Sequence, residues 1–167
     1  MKLSIEDILN YHCPRWSELP EIDLYIDQVV CILQNNLSVF SKDPNSPIIT
    51  TNMINNYVKK GVLQPPTKKK YNRSHLALLF AICILKKHMN LSDIAISINI
   101  MTKNYSIEEG YDLFCDEFEK ILKYTFKPSK ETLPTYLESE SREIATLRAI
   151  LTTFSNSVLT DRLIALR

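Results

Sequence analysis

The sequence is poor in glycine, with two in 167 residues where average usage of ~7% would give about 12. This scarcity argues against a glycine-rich phosphate loop, a dinucleotide-binding turn and a fold of many β-hairpins. Long apolar runs are missing too. The longest, from Leu76 to Leu85, would span about 15 Å as a helix, half the core of a bilayer. It predicts a buried helix and no membrane span.

Paired cysteines at zinc-ligand spacing are also absent. Cys13, Cys31, Cys83 and Cys115 are scattered, with no C-x-x-C pair, and His12 beside Cys13 has no second ligand pair to complete a site. The first residues contain no apolar stretch typical of a signal peptide. We therefore expect unpaired thiols in a cytoplasmic protein, and we predict neither a metal nor another cofactor.

The sequence offers no arrangement of side chains typical of an enzyme. Carboxylates are plentiful but form no obvious catalytic pair, and His12, His75 and His88 have no nucleophile at a recognisable spacing. We predict no catalytic residues and no enzymatic activity.

Acidic residues are missing from positions 44–92, although the chain as a whole is nearly neutral at +1. That acid-free segment carries a charge of +8, which leaves twelve basic against nineteen acidic residues elsewhere. Its basic residues are Lys59, Lys60, Lys68, Lys69, Lys70, Arg73, Lys86 and Lys87. Concentrated positive charge on a neutral chain is typical of a surface that binds a polyanion. A basic face that serves only solubility is the alternative.

Apolar periodicity predicts a mainly α fold. We expect helices over 21–40, over 51–60, from Ser74 to near His88, from Ser106 onward and over 139–167. Residues 91–101 fit a strand or a helix, and the Ser92–Asp93 start favours a helix. The apolar stripe of the last helix packs either on the chain's own core or on a second subunit. We predict an N-terminal region, 1–104, and a C-terminal helical region for packing or dimerisation, 105–167, either separate or continuous.

The helix over 51–60 has an unusual polar face. Asn52, Asn55, Asn56 and Lys59 share one side at helical spacing, and Ile54 and Val58 lie on the other. Asparagine is a poor helix former. Three asparagines in a helix of ten residues therefore indicate that their side-chain amides bind a partner. An amide that both donates and accepts matches the major-groove edge of adenine.

A basic strip with one aromatic, residues 68–73, follows this helix after Pro65 and Pro66. A short hairpin or loop of this kind beside a recognition helix suits the DNA backbone or the minor groove. The alternative is a solvated lysine loop beside a polar surface helix that has no partner.

Residues 49–98 resemble the MerR-type winged helix-turn-helix. The pattern runs from a tyrosine, a glycine and two apolar residues, through prolines and a basic wing, to a buried helix and a Ser-containing turn. It is filled by Tyr57, Gly61, Val62, Leu63, Pro65, Tyr71, Leu76, Leu91, Ser92 and Ile94. The sequence departs from it at Asn55-Asn56-Tyr57, where the family has Arg-Tyr-Tyr, and in a short wing without glycine. The whole chain also resembles an uncharacterised bacterial domain-of-unknown-function family regarded as regulators.

We predict a mainly α fold, a winged helix-turn-helix with a short basic wing and C-terminal helices, that binds double-stranded DNA as a homodimeric transcription regulator. The resemblance implies that Thr51, Asn52, Asn55 and Asn56 face the major groove and that Tyr57, Lys59 and Lys60 lie near phosphates. The wing residues expected at the DNA are Lys68, Lys69, Lys70, Tyr71 and Arg73. The alternative function is a helical protein–protein interaction module whose basic face binds an acidic partner. Nothing in residues 105–167 indicates an effector.

Overall fold

The computed structural model describes residues 5–41, 43, 46–127 and 141–165 and is mainly helical. In these residues the elements follow in the order α1 (Ile5–Leu9), β1 (Leu24–Tyr25), α2 (Ile26–Leu37), α3 (Thr51–Lys59), β2 (Lys70–Tyr71), α4 (Arg73–Leu85), α5 (Leu91–Asn104), α6 (Ile107–Phe126) and α7 (Arg142–Ala165). Short 3-10 turns lie at Trp16–Glu18 and Ser38–Phe40. The two strands pair antiparallel, Leu24 with Tyr71 and Tyr25 with Lys70.

Helix α4 forms the centre of the core, as its continuous apolar run predicts. Nine of its thirteen residues are buried, among them Leu79, Phe80 and Ile82, which are fully inaccessible. Asn72 caps the helix, and its side-chain oxygen accepts a hydrogen bond from the His75 amide at 3.1 Å. The prediction of a start at Ser74 is therefore wrong, because Asn72 caps as well as serine does and the helix starts earlier.

Aromatic rings join α6 and α7 to the turn that follows α2. The Phe118 ring lies 5.4 Å from Phe40, 5.5 Å from Phe154 and 5.8 Å from Tyr11, centroid to centroid. Beside this cluster, Arg148 of α7 donates two hydrogen bonds, at 2.5 and 2.9 Å, to the Glu117 carboxylate of α6. Both residues of this ion pair are buried.

The apolar stripe of α7 packs on the chain's own core. Leu147, Leu151, Phe154 and Val158 are all buried. This is the first of the two alternatives that the sequence leaves open. The predicted dimer therefore needs another surface.

Side-chain caps fix where α5 and α6 begin. The Asn90 side-chain oxygen accepts from the Asp93 amide at 2.9 Å, and a helix follows through Asn104. The prediction of a helix over 91–101 is thus confirmed against the strand. The Ser106 hydroxyl accepts from the Glu109 amide at 3.2 Å, and the Glu109 carboxylate accepts from the Ser106 amide at 2.9 Å. These two bonds form a capping box, and the helix begins where the prediction from Ser106 onward places it.

The predicted helix over 21–40 is shorter than its apolar period indicates. Leu24 and Tyr25 are extended, and the helix covers only 26–37. The physical reason is the pairing with Lys70 and Tyr71, which a helical period within residues 21–40 does not reveal.

Residues 12–16, which we term the N-terminal strap, lie across α6. The backbone amide of Cys13 donates to the Glu119 carboxylate at 2.9 Å, and the Trp16 amide donates to Asp112 at 2.7 Å. The Arg15 guanidinium reaches the same Glu119 oxygen at 2.8 Å. The Cys115 thiol, buried under the strap, donates to the Pro14 carbonyl at 3.7 Å. Hydrogen bonds to two aspartate or glutamate side chains thus hold the strap on α6.

Candidate nucleic-acid interface

Helix α3 presents the predicted polar face to solvent. Thr50 caps the helix by accepting from the Met53 amide at 3.2 Å. Ile54 and Tyr57 are buried, whereas the side that points away from the core is exposed. We call this exposed side the amide face, and it consists of Asn52, Asn55, Asn56 and Lys59. Thr51, at the first position of the helix, is half-buried beside it.

The chain turns sharply at the end of α3. Gly61, which follows the helix, has φ +71°, the left-handed conformation in which glycine is favoured. The Val62 amide then donates back to the Tyr57 carbonyl at 3.0 Å, and Val62 and Leu63 enter the core. This geometry leaves Lys59 and Lys60 exposed on the last turn of the helix.

The predicted wing is a tight turn, Thr67–Lys70, which we call the lysine turn. Thr67 and Lys70 exchange two backbone hydrogen bonds, at 3.1 and 2.9 Å. Lys68 and Lys69, between them, have φ +49° and +64°. Positive φ at both central residues is the geometry of a type I′ turn, which favours Asn-Gly. Two lysines therefore hold a conformation that costs about 1–2 kcal/mol for each side chain with a Cβ.

Strand β2 carries the lysine turn into the fold. Lys70 lies with its ammonium 5.2 Å from the centre of the Tyr25 ring on β1. Tyr25 itself is 57% exposed. Tyr25 is not among the site residues that the sequence predicts, because only the pairing of β1 with β2 brings it beside the turn.

The Arg73 side chain contacts residues 16–21, which precede β1. Its guanidinium lies 3.0 Å from the Glu21 carboxylate and 5.5 Å from the centre of the Trp16 ring. It also donates to the Pro20 carbonyl at 3.5 Å. The structure thus gives Arg73 three partners within the chain, and a phosphate would have to compete with them.

Two aromatic residues predicted at the DNA are buried. Tyr57 is 3% exposed and Tyr71 is 2% exposed, and both side chains face the core instead of the surface. Burial raises the pKa of Tyr57 to about 12 and also raises the pKa of Tyr71. The physical reason is packing: each is the apolar anchor of its element, so its side chain would have to leave the core to meet a phosphate.

The lysines at the end of α4 also serve the fold. Lys86 donates to the Ile48 carbonyl at 2.6 Å, and burial lowers its pKa. Lys87 donates to the Phe40 carbonyl at 2.9 Å. Both ammonium groups therefore satisfy backbone oxygens of the segment around α2 and α3.

The basic residues of the acid-free segment therefore fall into two groups, according to whether their side chains have a partner in the described chain. Arg73, Lys86 and Lys87 have partners in the chain, and Lys70 lies over an aromatic ring. In the part of the chain that the structure describes, no hydrogen bond or ion pair reaches the ammonium groups of the remaining four, which are Lys59, Lys60, Lys68 and Lys69. Lys59 lies on the amide face itself, and Lys60, Lys68 and Lys69 follow that face along the chain.

His12 and His75 each contact a polar side chain nearby in the sequence. His12 lies 2.7 Å from the Glu18 carboxylate, and the His75 ring lies 2.7 Å from the Asn72 side-chain oxygen that caps α4. Among the described residues no cluster of three or more potential metal ligands occurs. No helix in those same ranges has the length and apolar character needed to cross a membrane.

A family model described as a domain of unknown function, DUF1836, matches residues 14–125, about two thirds of the chain. The chain belongs to the DUF1836 family. The DUF1836 match runs from the N-terminal strap to the last turn of α6, so it includes the amide face and the lysine turn. No curated protein and no solved structure matches the chain. The predicted likeness to the MerR-type fold consequently stays a prediction.

Proposed function

We propose that this DUF1836 protein binds double-stranded DNA and regulates transcription, with α3 in the major groove and the lysine turn on the phosphate backbone. One observation carries the proposal. Four exposed lysines without a counter-charge in the described chain lie on an exposed amide face or follow it in sequence, in a segment that contains no acidic residue.

The order of elements supports a winged helix-turn-helix as the finer description of the fold. A strand, two helices, a short turn with its returning strand and a buried helix follow one another from β1 to α4. The second helix of such a unit enters the major groove, and the wing approaches the backbone. Here the second helix is α3, which bears the amide face.

The chemistry of the exposed side chains fits this arrangement. An asparagine amide can pair with both N6 and N7 of adenine, which gives sequence preference. Lysine ammonium groups neutralise phosphates without reading sequence. We therefore assign base contacts to Asn52, Asn55 and Asn56, and backbone contacts to Lys59, Lys60, Lys68 and Lys69. Thr51 and Lys70 lie at the margins of this surface.

The test is a titration of random and genomic duplexes at several salt concentrations. Each phosphate contact contributes about 0.9 to the slope of log K against log salt, so four lysines predict about 3.6. Replacing both Lys68 and Lys69 by alanine should lower the slope by about 1.8.

The matched control replaces Lys120 and Lys123 by alanine. These exposed lysines of α6 lie 4.0 and 3.9 Å from Glu117 and Glu119, and removing them should leave the slope unchanged. A flat salt response, or no binding at low salt, would overturn the proposal.

We also propose that the regulator acts as a homodimer on two half-sites. A two-fold symmetric reader fits half-sites whose centres are about one helical turn of DNA apart. Light scattering should give the mass of two chains without duplex, and the mass of two chains plus one duplex when DNA is bound. A strict monomer on a single half-site would contradict this part of the proposal.

An acidic protein partner is the second candidate, and one observation favours it. Ile22 and Tyr25 are 70% and 57% exposed, and Lys70 lies over the Tyr25 ring. Exposed apolar side chains beside a cation suit a protein surface better than a phosphate backbone. Affinity purification with and without nuclease separates the two: partners that survive nuclease favour the protein, and recovery that depends on nucleic acid favours DNA.

A further inference from the structure

A cavity of about 570 Å³ lies among α4, α5, α6 and α7. Its lining includes no residue of the amide face or of the lysine turn. Its walls are mainly apolar and include Ala81, Leu85, Ile100, Phe114 and Ile150. Pockets that bury small ligands have volumes of roughly 300–1,000 Å³ and are lined in the same way. The size and lining therefore suit a small molecule with a substantial apolar part.

Helix α5 is the loosely packed wall of this cavity. Only Ile94 of its fourteen residues is buried, whereas Ile96 and Ile100 are 58% and 39% exposed. Covering this exposed apolar surface with another apolar group lowers the free energy of the system. Ile96 and Ile100 both border the cavity, so an apolar group placed there would cover them.

The rim of the cavity has four charged side chains, and the two acidic ones already accept hydrogen bonds within the chain. The Asp93 carboxylate accepts from the Asn90 side-chain amide at 2.8 Å. Hydrogen bonds from its own backbone amide and from Ser141 hold the pKa of Glu143 below its usual range. Both carboxylates therefore stabilise the first turns of α5 and α7.

The cations on the same rim are not used in this way. Lys103 and Arg142 are exposed, and neither forms an ion pair with another residue of the described ranges. The first turns of α6 and α7, at Ile107 and Arg142, also border the cavity, and helix N-termini favour anions. The rim thus presents two available positive charges next to an apolar interior.

We propose that this cavity binds an amphipathic carboxylate, with the apolar tail between α5 and α6 and the anionic head at Lys103 and Arg142. The tail replaces water on Ile100, Phe114 and their neighbours. The head pairs with two exposed cations, neither of which lies within ion-pair distance of another described residue. This inference is independent of DNA binding, because the cavity and the lysine turn share no residue.

Isothermal titration of the full chain with straight-chain carboxylates tests the proposal, without any duplex present. Octanoate, decanoate and dodecanoate are used below their micelle concentrations. Each buried methylene contributes about 0.8 kcal/mol, so affinity should rise about fourfold for each added methylene. Dodecanol and dodecylamine, which have the same tail, should bind at least tenfold more weakly than dodecanoate. Equal binding of all three head groups, or no binding of any, overturns the proposal.

Two variants locate the site. Replacing both Lys103 and Arg142 by glutamate should weaken dodecanoate at least tenfold and leave dodecanol unchanged, whereas the same change at Lys120 and Lys123 should affect neither. Replacing Thr146, an exposed residue of the lining, by tryptophan should fill the cavity and abolish binding of every probe. Thermal unfolding without ligand shows that each variant is folded. Carboxylate binding that survives both changes places the site elsewhere and overturns the assignment.

Discussion

The charged side chains of α6 and those of α3 with the lysine turn are used in opposite ways. On α6, Glu117 is paired with Arg148, and Glu119 accepts from Arg15 and from the strap backbone. On α3 and the lysine turn, four lysines point into solvent without a partner in the described chain. A buried charge must be paired because desolvation is expensive, whereas an exposed charge is under no such constraint. Charges that hold the fold can therefore be separated from charges that remain available for a partner.

The largest expected effect comes from breaking the buried pair. Replacing Glu117 by alanine removes the carboxylate that accepts two hydrogen bonds from the buried Arg148 guanidinium and should lower the free energy of unfolding by about 3–5 kcal/mol. Urea denaturation measures the change. The matched control is the neighbouring carboxylate Asp116, which is exposed and 2.9 Å from Arg15, and its replacement by alanine should cost less than about 1 kcal/mol. Equal losses at the two positions would show that burial does not distinguish them.

Acid should weaken the same pair without any truncation. The hydrogen bonds from Arg148 hold the pKa of Glu117 below its usual range, so the unfolded chain binds a proton at this group more readily than the folded chain. The stabilisation is complete above the ordinary glutamate pKa of about 4.3 and is lost as pH falls through the lower, folded value. Thermal unfolding from pH 6 to pH 3 should show the wild type converging on the Glu117→Gln variant. A difference that stays constant over this range would contradict the assignment.

Relief of the strained turn should separate stability from binding. Changing Lys68 to asparagine and Lys69 to glycine provides the residues that a type I′ turn favours, and should raise the free energy of unfolding by about 1–2 kcal/mol. The same change removes two charges, so duplex affinity should fall. The control replaces both lysines by alanine: it should lose the same affinity without the gain in stability. A stabilised variant that binds as tightly as the wild type would exclude the turn from the interface.

The smallest change concerns the amide face. Replacing Asn55 by alanine should raise the free energy of unfolding by about 0.5 kcal/mol, because an exposed asparagine is a poor helix former. It should also alter the sequence preference found by selection from random duplexes. Asn99, exposed on α5, is the matched control: its replacement by alanine should give a similar gain without a change in preference. Unaltered preference in the Asn55 variant would remove base reading from α3.

Local patterns predict the described helices from α2 to α7 and several of their ends. The capping residues at Thr50 and Ser106, the left-handed Gly61 and the apolar run of α4 are each visible within a few residues of sequence. The helix that covers 51–59 differs from the prediction by one residue. These features depend on neighbours along the chain, so a single sequence contains the information.

Contacts between distant segments account for what the sequence does not reveal. The extended Leu24–Tyr25 exists because it pairs with Lys70–Tyr71, some 45 residues away. The same kind of contact determines which basic residues are available: Arg73 is paired because Glu21 and Trp16 reach it. Composition counts eight positive charges in the acid-free segment, but only packing shows that four of them serve the fold or an aromatic neighbour.

The N-terminal strap turns the cysteines into reporters of local opening. Cys31 is exposed and should react at once with a thiol-specific reagent. Cys13 and Cys115 are shielded by the strap and the face of α6 beneath it, so their labelling rate measures how often the strap lifts. Cys83, within α4, should react only when the core itself opens. Mass spectrometry of a labelling time course would therefore resolve three levels of opening in the unmodified protein, from the surface to global unfolding.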